Sequence, residues 1–98
     1  MGIYVYIGHD GPDGQRLRPS VRERHLAHIE RFDREGRIVF AGPLRDEFGA
    51  PRGSLIVLEA DDLASARAIA LRDPYLGEGV FERIDVHESL QVFPKRGS

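Results

Sequence analysis

The sequence predicts an α+β fold in which a four-stranded antiparallel sheet carries two helices on one face. Strand and helix patterns follow the order β-α-β-β-α-β, 41% of the residues are hydrophobic, and no segment is repeated or low in complexity. That element order is the split βαβ, or ferredoxin-like, arrangement. Because 98 residues are enough for one modest core, we expect a single domain over residues 1–98.

The first strand and the first helix have local signals of different kinds. Residues 3–7, IYVYI, combine β-branched and aromatic side chains and predict strand one. Residues 9–19 are rich in glycine and proline and predict a loop. Ser20 and Glu23 have the spacing of a capping box, in which each side chain satisfies a backbone amide of the other residue. The first helix is therefore predicted over about residues 21–35.

Two short apolar segments follow this helix and predict a pair of strands. Gly36 stands where a left-handed C-cap residue belongs, so we expect the helix to end there. Residues 37–42, RIVFAG, predict strand two, and residues 54–60, SLIVLEA, predict strand three. The loop over residues 43–53 is long enough for these strands to pair in an antiparallel manner.

The last third of the sequence predicts a helix and a strand. Asp61 or Asp62 can cap a helix over residues 63–72, whose alanine-rich composition favours close packing. Pro74 disfavours helical backbone in the residue before it, so this helix must end there. Residues 81–93 predict the last strand. The remaining predicted features are a connector over residues 75–80, a bend or break near Glu88 and Ser89, and a frayed tail over residues 94–98.

Both faces of the predicted sheet are apolar along its first three strands. Strand one alternates Ile3, Val5 and Ile7 with Tyr4 and Tyr6. The other two strands repeat the pattern, with Ile38 and Phe40 against Val39 and Ala41, and with Leu55 and Val57 against Ile56 and Leu58. A sheet with one face in water should instead alternate between apolar and polar residues. We therefore predict a homodimer in which the open sheet faces of two copies pack together.

Composition excludes several classes of function. The net charge of −2, from 14 basic and 16 acidic side chains, provides no field for binding a phosphate backbone, so no nucleic-acid partner is expected. The absence of cysteine excludes disulfides and a thiolate nucleophile. No apolar run approaches the roughly 20 residues of a membrane span, so we expect a soluble cytoplasmic protein without membrane contact. No set of histidines and carboxylates has metal-site spacing, and no metal is expected.

The first helix places an unusual histidine on its apolar side. At about 100° per residue, His25 falls within the arc formed by Val21, Ile29 and Phe32, and Arg22 lies beside it. A histidine there is either a core residue satisfied by a hydrogen bond or a proton-transfer residue that lines a pocket. Arg22 is either a side chain that reaches to solvent at the helix end or part of the same pocket.

Asp73 and Ser54 are the candidate partners of this histidine. Asp73 closes the second helix, and in this fold both helices lie on the same sheet face. Its carboxylate could hold one ring nitrogen of His25 and fix the tautomer, as an orienting acid does in general-base catalysis. Alternatively, Asp73 ends the helix with its side chain in water. Ser54 begins strand three and could offer a hydroxyl to the same cavity, but no Gly-x-Ser-x-Gly motif indicates a serine hydrolase.

Several short motifs in this order resemble the YCII-related family over nearly the whole chain. They are RERHL in the first helix, GR before strand two, AGPL after it, GS at the start of strand three, and DPY followed by GVFE. The resemblance implies a dimeric ferredoxin-like fold and a pocket with a His-Asp dyad. His25 and Asp73 match the dyad, and Arg22, Ser54 and Tyr75 match positions associated with that pocket.

Two functional hypotheses follow. The first is a small-molecule enzyme or enzyme-like binder that performs proton abstraction or elimination on a cyclic or aromatic compound, in a dehydrochlorinase-like or isomerase-like manner. In it, His25 is the general base, Asp73 orients the ring, and Arg22 faces an enolate or carboxylate. The alternative is a non-catalytic dimeric ligand-binding or regulatory module in which the pair is structural. Neither hypothesis implies a cofactor.

Overall fold

The fold is a four-stranded antiparallel sheet with helices on one face, as seen in a computed structural model that describes residues 1–95. The elements are β1 (Gly2–Asp10), α1 (Gly14–Arg34), β2 (Ile38–Arg45), β3 (Pro51–Ala60), α2 (Leu63–Leu71), α3 (Pro74–Gly77) and β4 (Phe81–Ser89). The strands lie side by side in the order β2-β3-β1-β4. The predicted ferredoxin-like fold is therefore confirmed.

The core lies between the helices and the inner face of the sheet. β1 turns Tyr4 and Tyr6 inward and β3 turns Ile56 and Leu58 inward, and each of these side chains is at most 5% exposed. Ala70 of α2 packs into the same cluster as Tyr6 and is fully buried. Removal of this apolar surface from water, at about 25 cal/mol per Å², provides the main favourable term for folding.

The start of α1 differs from the prediction. The helix begins at Gly14, so the predicted loop spans only residues 11–13 and the predicted capping box was wrong. Ser20 lies inside the helix, where its hydroxyl donates to the carbonyl of Leu17 at 3.0 Å. Pro19 also lies inside α1, although a proline removes one helical hydrogen bond. Tertiary contacts outweigh that cost, because Leu17 packs on a buried cluster and Arg18 forms a buried ion pair.

Local signals at two other helix ends act as predicted. Gly36 has a φ of 73° just after α1, a backbone conformation that favours glycine. Asp62 caps α2, because its side chain accepts a hydrogen bond from the backbone N–H of Ser65 at 2.7 Å. Both ends are set by residues within one turn, which is why the sequence alone could place them.

α3 is a short helix that the sequence prediction missed. The predicted connector after α2 contains one helical turn, Pro74–Gly77, with Asp73 as its N-cap and Pro74 at its first position. Asp-Pro is a typical start for a helix, because proline has no N–H to leave unsatisfied there. The turn fixes the position of both Asp73 and Tyr75.

Three of the strands are longer than predicted. β1 continues past Gly8, since His9 still pairs with Gly53 of β3 and Arg83 of β4. The ring of Phe81 lies so closely over Gly8 that a Cβ there would be 2.2 Å from a ring carbon. β2 and β3 extend into the predicted loop, and the turn between them is closed by the Asp46 carboxylate, which accepts from the backbone N–H groups of Phe48 and Ala50 at 2.9 and 3.0 Å.

The chain leaves the sheet at Ser89. β4 ends there, where the sequence predicted a bend or break, so residues 90–93 are not part of the strand. Residues 96–98 of the predicted tail lie outside the described residues.

The outer face of the sheet is apolar on three strands and polar on the fourth. Val5 of β1 pairs with Val57 of β3, and Ile7 pairs with Leu55. On β2, the side chain of Phe40 is 54% exposed. β4 instead directs polar side chains to this face, namely Arg83, Asp85 and His87. The apolar part of the outer face therefore covers β1, β2 and β3.

Candidate functional site

His25 and Asp73 are in hydrogen-bond contact where α1 passes the start of α3. His25 Nδ1 lies 2.7 Å from Asp73 Oδ1. The His25 side chain is 7% exposed and the Asp73 side chain is fully buried. The alternative in which Asp73 directs its carboxylate to water is therefore wrong, although the same carboxylate does cap α3.

Asp73 accepts two further hydrogen bonds. Its Oδ1 also accepts from the backbone N–H of Tyr75 at 2.9 Å, and its Oδ2 accepts from the phenol of Tyr6 at 2.8 Å. An ionised carboxylate can only accept hydrogen bonds, so the His25 nitrogen that faces it must bear the proton. In the neutral imidazole, this arrangement leaves Nε2 unprotonated, with its lone pair free.

Aromatic rings fix the plane of the imidazole. His25 stacks on Tyr75, with ring centroids 3.8 Å apart and an interplanar angle of 7°. Phe81 meets both rings edge-on, at centroid distances of 6.3 Å to His25 and 5.3 Å to Tyr75. The guanidinium of Arg18 lies 5.0 Å from the centroid of the Tyr75 ring. Together these contacts restrict the ring to one orientation.

His25 lines an open pocket between α1, β2 and β3. The pocket has a volume of about 620 Å³, a size that suits a small molecule. His25 Nε2 makes no hydrogen bond to any residue in the range 1–95. The atom is also not fully buried, so it is accessible from the pocket that His25 lines. The pocket wall is apolar along Ile29, Ile38 and Ile56 and polar at Arg18, Arg22 and Ser54.

A second buried ion pair supports the polar end of the pocket. Arg18 Nε and Nη2 each donate to the Asp10 carboxylate at 2.8 Å, which is a bidentate contact. Nη2 also donates to the carbonyl of Gly53 at 2.9 Å and lies 3.5 Å from Ser54 Oγ. Desolvation lowers the pKa of Arg18, but its contact with Asp10 more than offsets this and raises the pKa overall. The pair joins α1 to the end of β1 and the start of β3.

The three residues predicted to bind substrate all line the pocket, with different exposure. Ser54 and Tyr75 are buried, whereas Arg22 is exposed. Arg22 agrees with both of its predicted alternatives, because it lines the pocket on a side of α1 that is open to solvent. Burial raises the pKa of the Tyr75 phenol, and the nearby Arg18 and Arg22 guanidinium groups oppose that effect. The phenol therefore lies close to two cationic groups.

Sequence reasoning missed Arg18, Asp10 and Tyr6. A signal for Arg18 was present, since at about 100° per residue it falls between His25 and Arg22 on the helical wheel. The misplaced helix start hid that signal. Tyr6 was expected on a sheet face, but its contact with Asp73 depends on how α3 packs, which no local pattern reveals.

The other histidines lie outside this pocket. His28 is half-buried, and its Nε2 lies 2.9 Å from the Ile69 carbonyl. His9 lies in β1 and not in a loop, and its Nε2 is 2.8 Å from Asp85 Oδ2. His87 is exposed on β4.

Metal-binding clusters and membrane-spanning helices are both absent from the described part of the chain. No group of three or more histidine, aspartate or glutamate side chains in residues 1–95 is placed to hold a metal ion. No helix formed by those residues is both long enough and apolar enough to cross a membrane.

The fold is shared with solved structures of low sequence identity. A 5-chloro-2-hydroxyhydroquinone dehydrochlorinase from Burkholderia phenoliruptrix AC1100, solved in complex with 2,5-dihydroxybenzoquinone, is 21% identical with a TM-score of 0.75, covering 87% of this chain and 90% of that one. An antibiotic biosynthesis monooxygenase is 12% identical with a TM-score of 0.59, covering 94% and 99%. These likenesses show a common fold.

Sequence relatives identify the family. Protein YciI of Escherichia coli O6:H1 is 36% identical over 97 residues, which cover 93% of this chain and 99% of the relative. An uncharacterized protein of Haemophilus influenzae is 32% identical over 96 residues, covering 92% and 98%. The model of the YCII-related domain matches residues 3–89. The chain therefore belongs to the YCII-related family.

Proposed function

We propose that this protein binds a small cyclic or aromatic compound in the pocket and that His25 acts on it as a general base. The main observation is the 2.7 Å contact between His25 Nδ1 and the buried Asp73 carboxylate, with Nε2 directed to the pocket. A general base must reach the proton that it removes, and its ring must hold the correct tautomer. The arrangement of His25 and Asp73 beside the pocket supports this role.

The proposed chemistry begins with proton abstraction. His25 Nε2 accepts a proton from a carbon next to a carbonyl group, and the electron pair of the broken C–H bond forms an enolate. The enolate either takes a proton at another carbon, which is an isomerisation, or expels a leaving group from the neighbouring carbon, which is an elimination. Asp73 stabilises the imidazolium until its proton returns to the product or to solvent.

Cationic and hydroxyl groups at one end of the pocket would stabilise the developing negative charge. Arg22 lines the pocket and has no ion-pair partner within the described residues, whereas Arg18 is already paired with Asp10. We assign Arg22 as the counter-charge for an enolate or carboxylate, with Ser54 and Tyr75 as hydrogen-bond donors.

The dehydrochlorinase complex supports this class of ligand, because a protein of the same fold was solved with a hydroxyquinone. The proposal covers acidic cyclic compounds in general, since no feature of this pocket selects a chlorinated ring.

Deuterium exchange into a panel of candidate substrates tests the proposal. The protein is incubated in D2O with cyclic enolisable ketones and hydroxyquinones, and loss of C–H signals is followed by proton NMR. We expect accelerated exchange with wild-type protein and none with His25→Ala. His28→Ala is the matched control, because His28 lies on the same helix outside the pocket. Undiminished exchange by a folded His25→Ala variant would contradict the proposal.

A non-catalytic ligand-binding or regulatory role is the second candidate. The observation that favours it is that the Asp73 carboxylate connects β1, α1 and α3 through Tyr6, His25 and Tyr75. Loss of one partner in such a network costs about 1–3 kcal/mol of stability. Thermal melts of His25→Ala and Asp73→Asn help to distinguish the two roles. The non-catalytic role is favoured if both variants are strongly destabilised but bind ligand as wild type does, and if the wild-type protein catalyses no deuterium exchange.

We also propose that the protein is a cytoplasmic homodimer joined through the outer sheet face. The support is the apolar surface formed by Val5, Val57, Ile7 and Leu55, next to the exposed Phe40. Sedimentation at micromolar concentration should give a dimer for wild type and a monomer for Val57→Glu. Leu71→Glu, at an exposed position on α2, is the control and should remain dimeric. A monomeric wild-type protein would refute this proposal.

A further inference from the structure

We infer that Tyr6 is a positioning residue that moderates the basicity of His25 by controlling the negative charge on Asp73. This inference rests on the proposed function, because it concerns the same base. Tyr6 lies on β1 with 1% of its surface exposed, and its phenol donates to Asp73 Oδ2 at 2.8 Å.

The two oxygens of the Asp73 carboxylate have separate partners. Oδ1 accepts from the His25 ring and from the backbone N–H of Tyr75, which belong to α1 and α3. Oδ2 accepts from Tyr6, and no other hydrogen bond to it occurs within residues 1–95. Tyr6 therefore holds the carboxylate from the side of the sheet and prevents it from turning away from His25.

The Tyr6 phenol also remains a hydrogen-bond donor when the pH changes. Burial raises the pKa of Tyr6 well above its ordinary value, and the negative charge of Asp73 raises it further. Tyr6 therefore keeps its proton over the pH range in which histidine titrates. The charged and titratable groups that line the same pocket as His25 are Arg18, Arg22, Glu30 and Asp33 of α1 and Tyr75 of α3.

A donor to the carboxylate reduces the charge that the imidazolium feels. Hydrogen bonds to an ionised carboxylate spread its negative charge over the donors. Without Tyr6, the buried carboxylate would attract the His25 proton more strongly, because no water can replace the lost donor at a fully buried site. Tyr6 thus weakens His25 as a proton acceptor and keeps its proton easier to release after abstraction.

Histidine NMR on the whole protein tests this inference without a substrate. The pH midpoint of the His25 ring signals is compared between wild type and Tyr6→Phe, and we expect it to rise by about one pH unit, a tenfold change in proton affinity. Tyr4→Phe is the matched control, since Tyr4 lies on the same strand and face without a hydrogen bond to Asp73. The midpoint should not move in that variant.

A second substitution decides the question if Tyr6→Phe does not fold. Replacing Tyr6 by 3-fluorotyrosine keeps the hydroxyl and makes it a stronger donor, so the His25 midpoint should fall. An unchanged midpoint in either folded variant overturns the inference. If the midpoints move as expected but wild type catalyses no exchange, the role of Tyr6 stands and the proposed catalysis fails. If exchange is intact and the midpoints do not move, only the inference about Tyr6 fails.

Discussion

Two histidine–aspartate pairs lie on opposite faces of the sheet, and their surroundings differ far more than their geometry. His25 and Asp73 are 2.7 Å apart on the inner face, and His9 and Asp85 are 2.8 Å apart on the outer face. The inner pair has side chains that are 7% and 0% exposed, whereas those of the outer pair are 34% and 43% exposed. A short distance alone therefore does not distinguish a candidate catalytic pair.

The difference lies in the other groups around each carboxylate. Asp73 accepts additional hydrogen bonds from Tyr6 and from the Tyr75 backbone, and its histidine borders a pocket. Asp85 has Arg83 at 3.9 Å as a further charged neighbour and remains partly in water. Burial strengthens charge interactions and fixes geometry, and of these two pairs the inner one lies beside the pocket with its ring held in place.

The largest expected effect is on the inner pair. Asp73→Asn removes the carboxylate charge and replaces one acceptor oxygen by an NH2 group. Either the His25 ring and the Tyr75 N–H both lose their acceptor, or Tyr6 loses its own. We expect the rate of deuterium exchange to fall by about 10²- to 10⁴-fold, the typical contribution of a positioned acid or base. The measurement compares the deuterium-exchange rates of wild type and Asp73→Asn at a saturating concentration of the exchanging substrate. A folded Asp73→Asn variant with the wild-type exchange rate would contradict the proposed role of the inner pair.

The buried ion pair of Arg18 and Asp10, at the edge of the pocket, tests how much a buried pair contributes to the free energy of unfolding. Asp10→Asn leaves the Arg18 guanidinium buried without its countercharge, because the two side chains are only 5% and 11% exposed. Breaking a buried pair in this way typically costs about 3–5 kcal/mol, and urea denaturation should show it. The double variant Asp10→Asn with Arg18→Met should recover part of the loss. Additive losses would mean that the two residues do not interact.

The exposed cation at the pocket tests the assignment of charge. Arg22→Gln should weaken binding of 2,5-dihydroxybenzoquinone, used as an anionic probe, by at most about fivefold, because solvent screens an exposed charge. Arg24→Gln is the control, since Arg24 is exposed on the same helix and pairs with Glu78. Calorimetric titration gives both affinities. Equal affinities for the two variants would exclude Arg22 as the counter-charge.

The smallest expected effect is on the outer pair. Hydrogen bonding to His9 lowers the pKa of Asp85 below its ordinary value of 3.8. A lowered pKa in the folded state stabilises the protein above the unfolded-state pKa, and this stability is lost as the pH falls through the folded-state pKa. Asp85→Asn should therefore be slightly less stable than wild type at neutral pH. The difference should begin to shrink near pH 4 and vanish only below the lowered folded-state pKa of Asp85. If the stability difference between wild type and Asp85→Asn grew as the pH fell, the assigned direction of the Asp85 pKa shift would be wrong.

The sequence was sufficient where the signal was local or periodic. The position of His25 on the apolar arc, the Asp62 cap and Gly36 each depend on a few neighbouring residues. The pairing of His25 with Asp73 could be anticipated because the fold places both helices on one sheet face.

Features that depend on tertiary packing were not predictable in the same way. α1 contains Pro19 because the buried contact between Arg18 and Asp10 stabilises its first turns. The link from Tyr6 to Asp73 requires the exact placement of α3 against β1. In both cases the stabilising partner is distant in sequence, so local propensity favoured the wrong interpretation or none.

The central claim is that Asp73 holds His25 with the proton on Nδ1 and a free lone pair on Nε2. Nitrogen-15 NMR of the histidine ring, recorded at a pH where the ring is neutral, measures this directly. We predict a protonated Nδ1 and an unprotonated Nε2 for His25, and loss of that preference in Asp73→Asn. A proton on Nε2 in the wild-type protein would contradict the claim, because no base would then face the pocket.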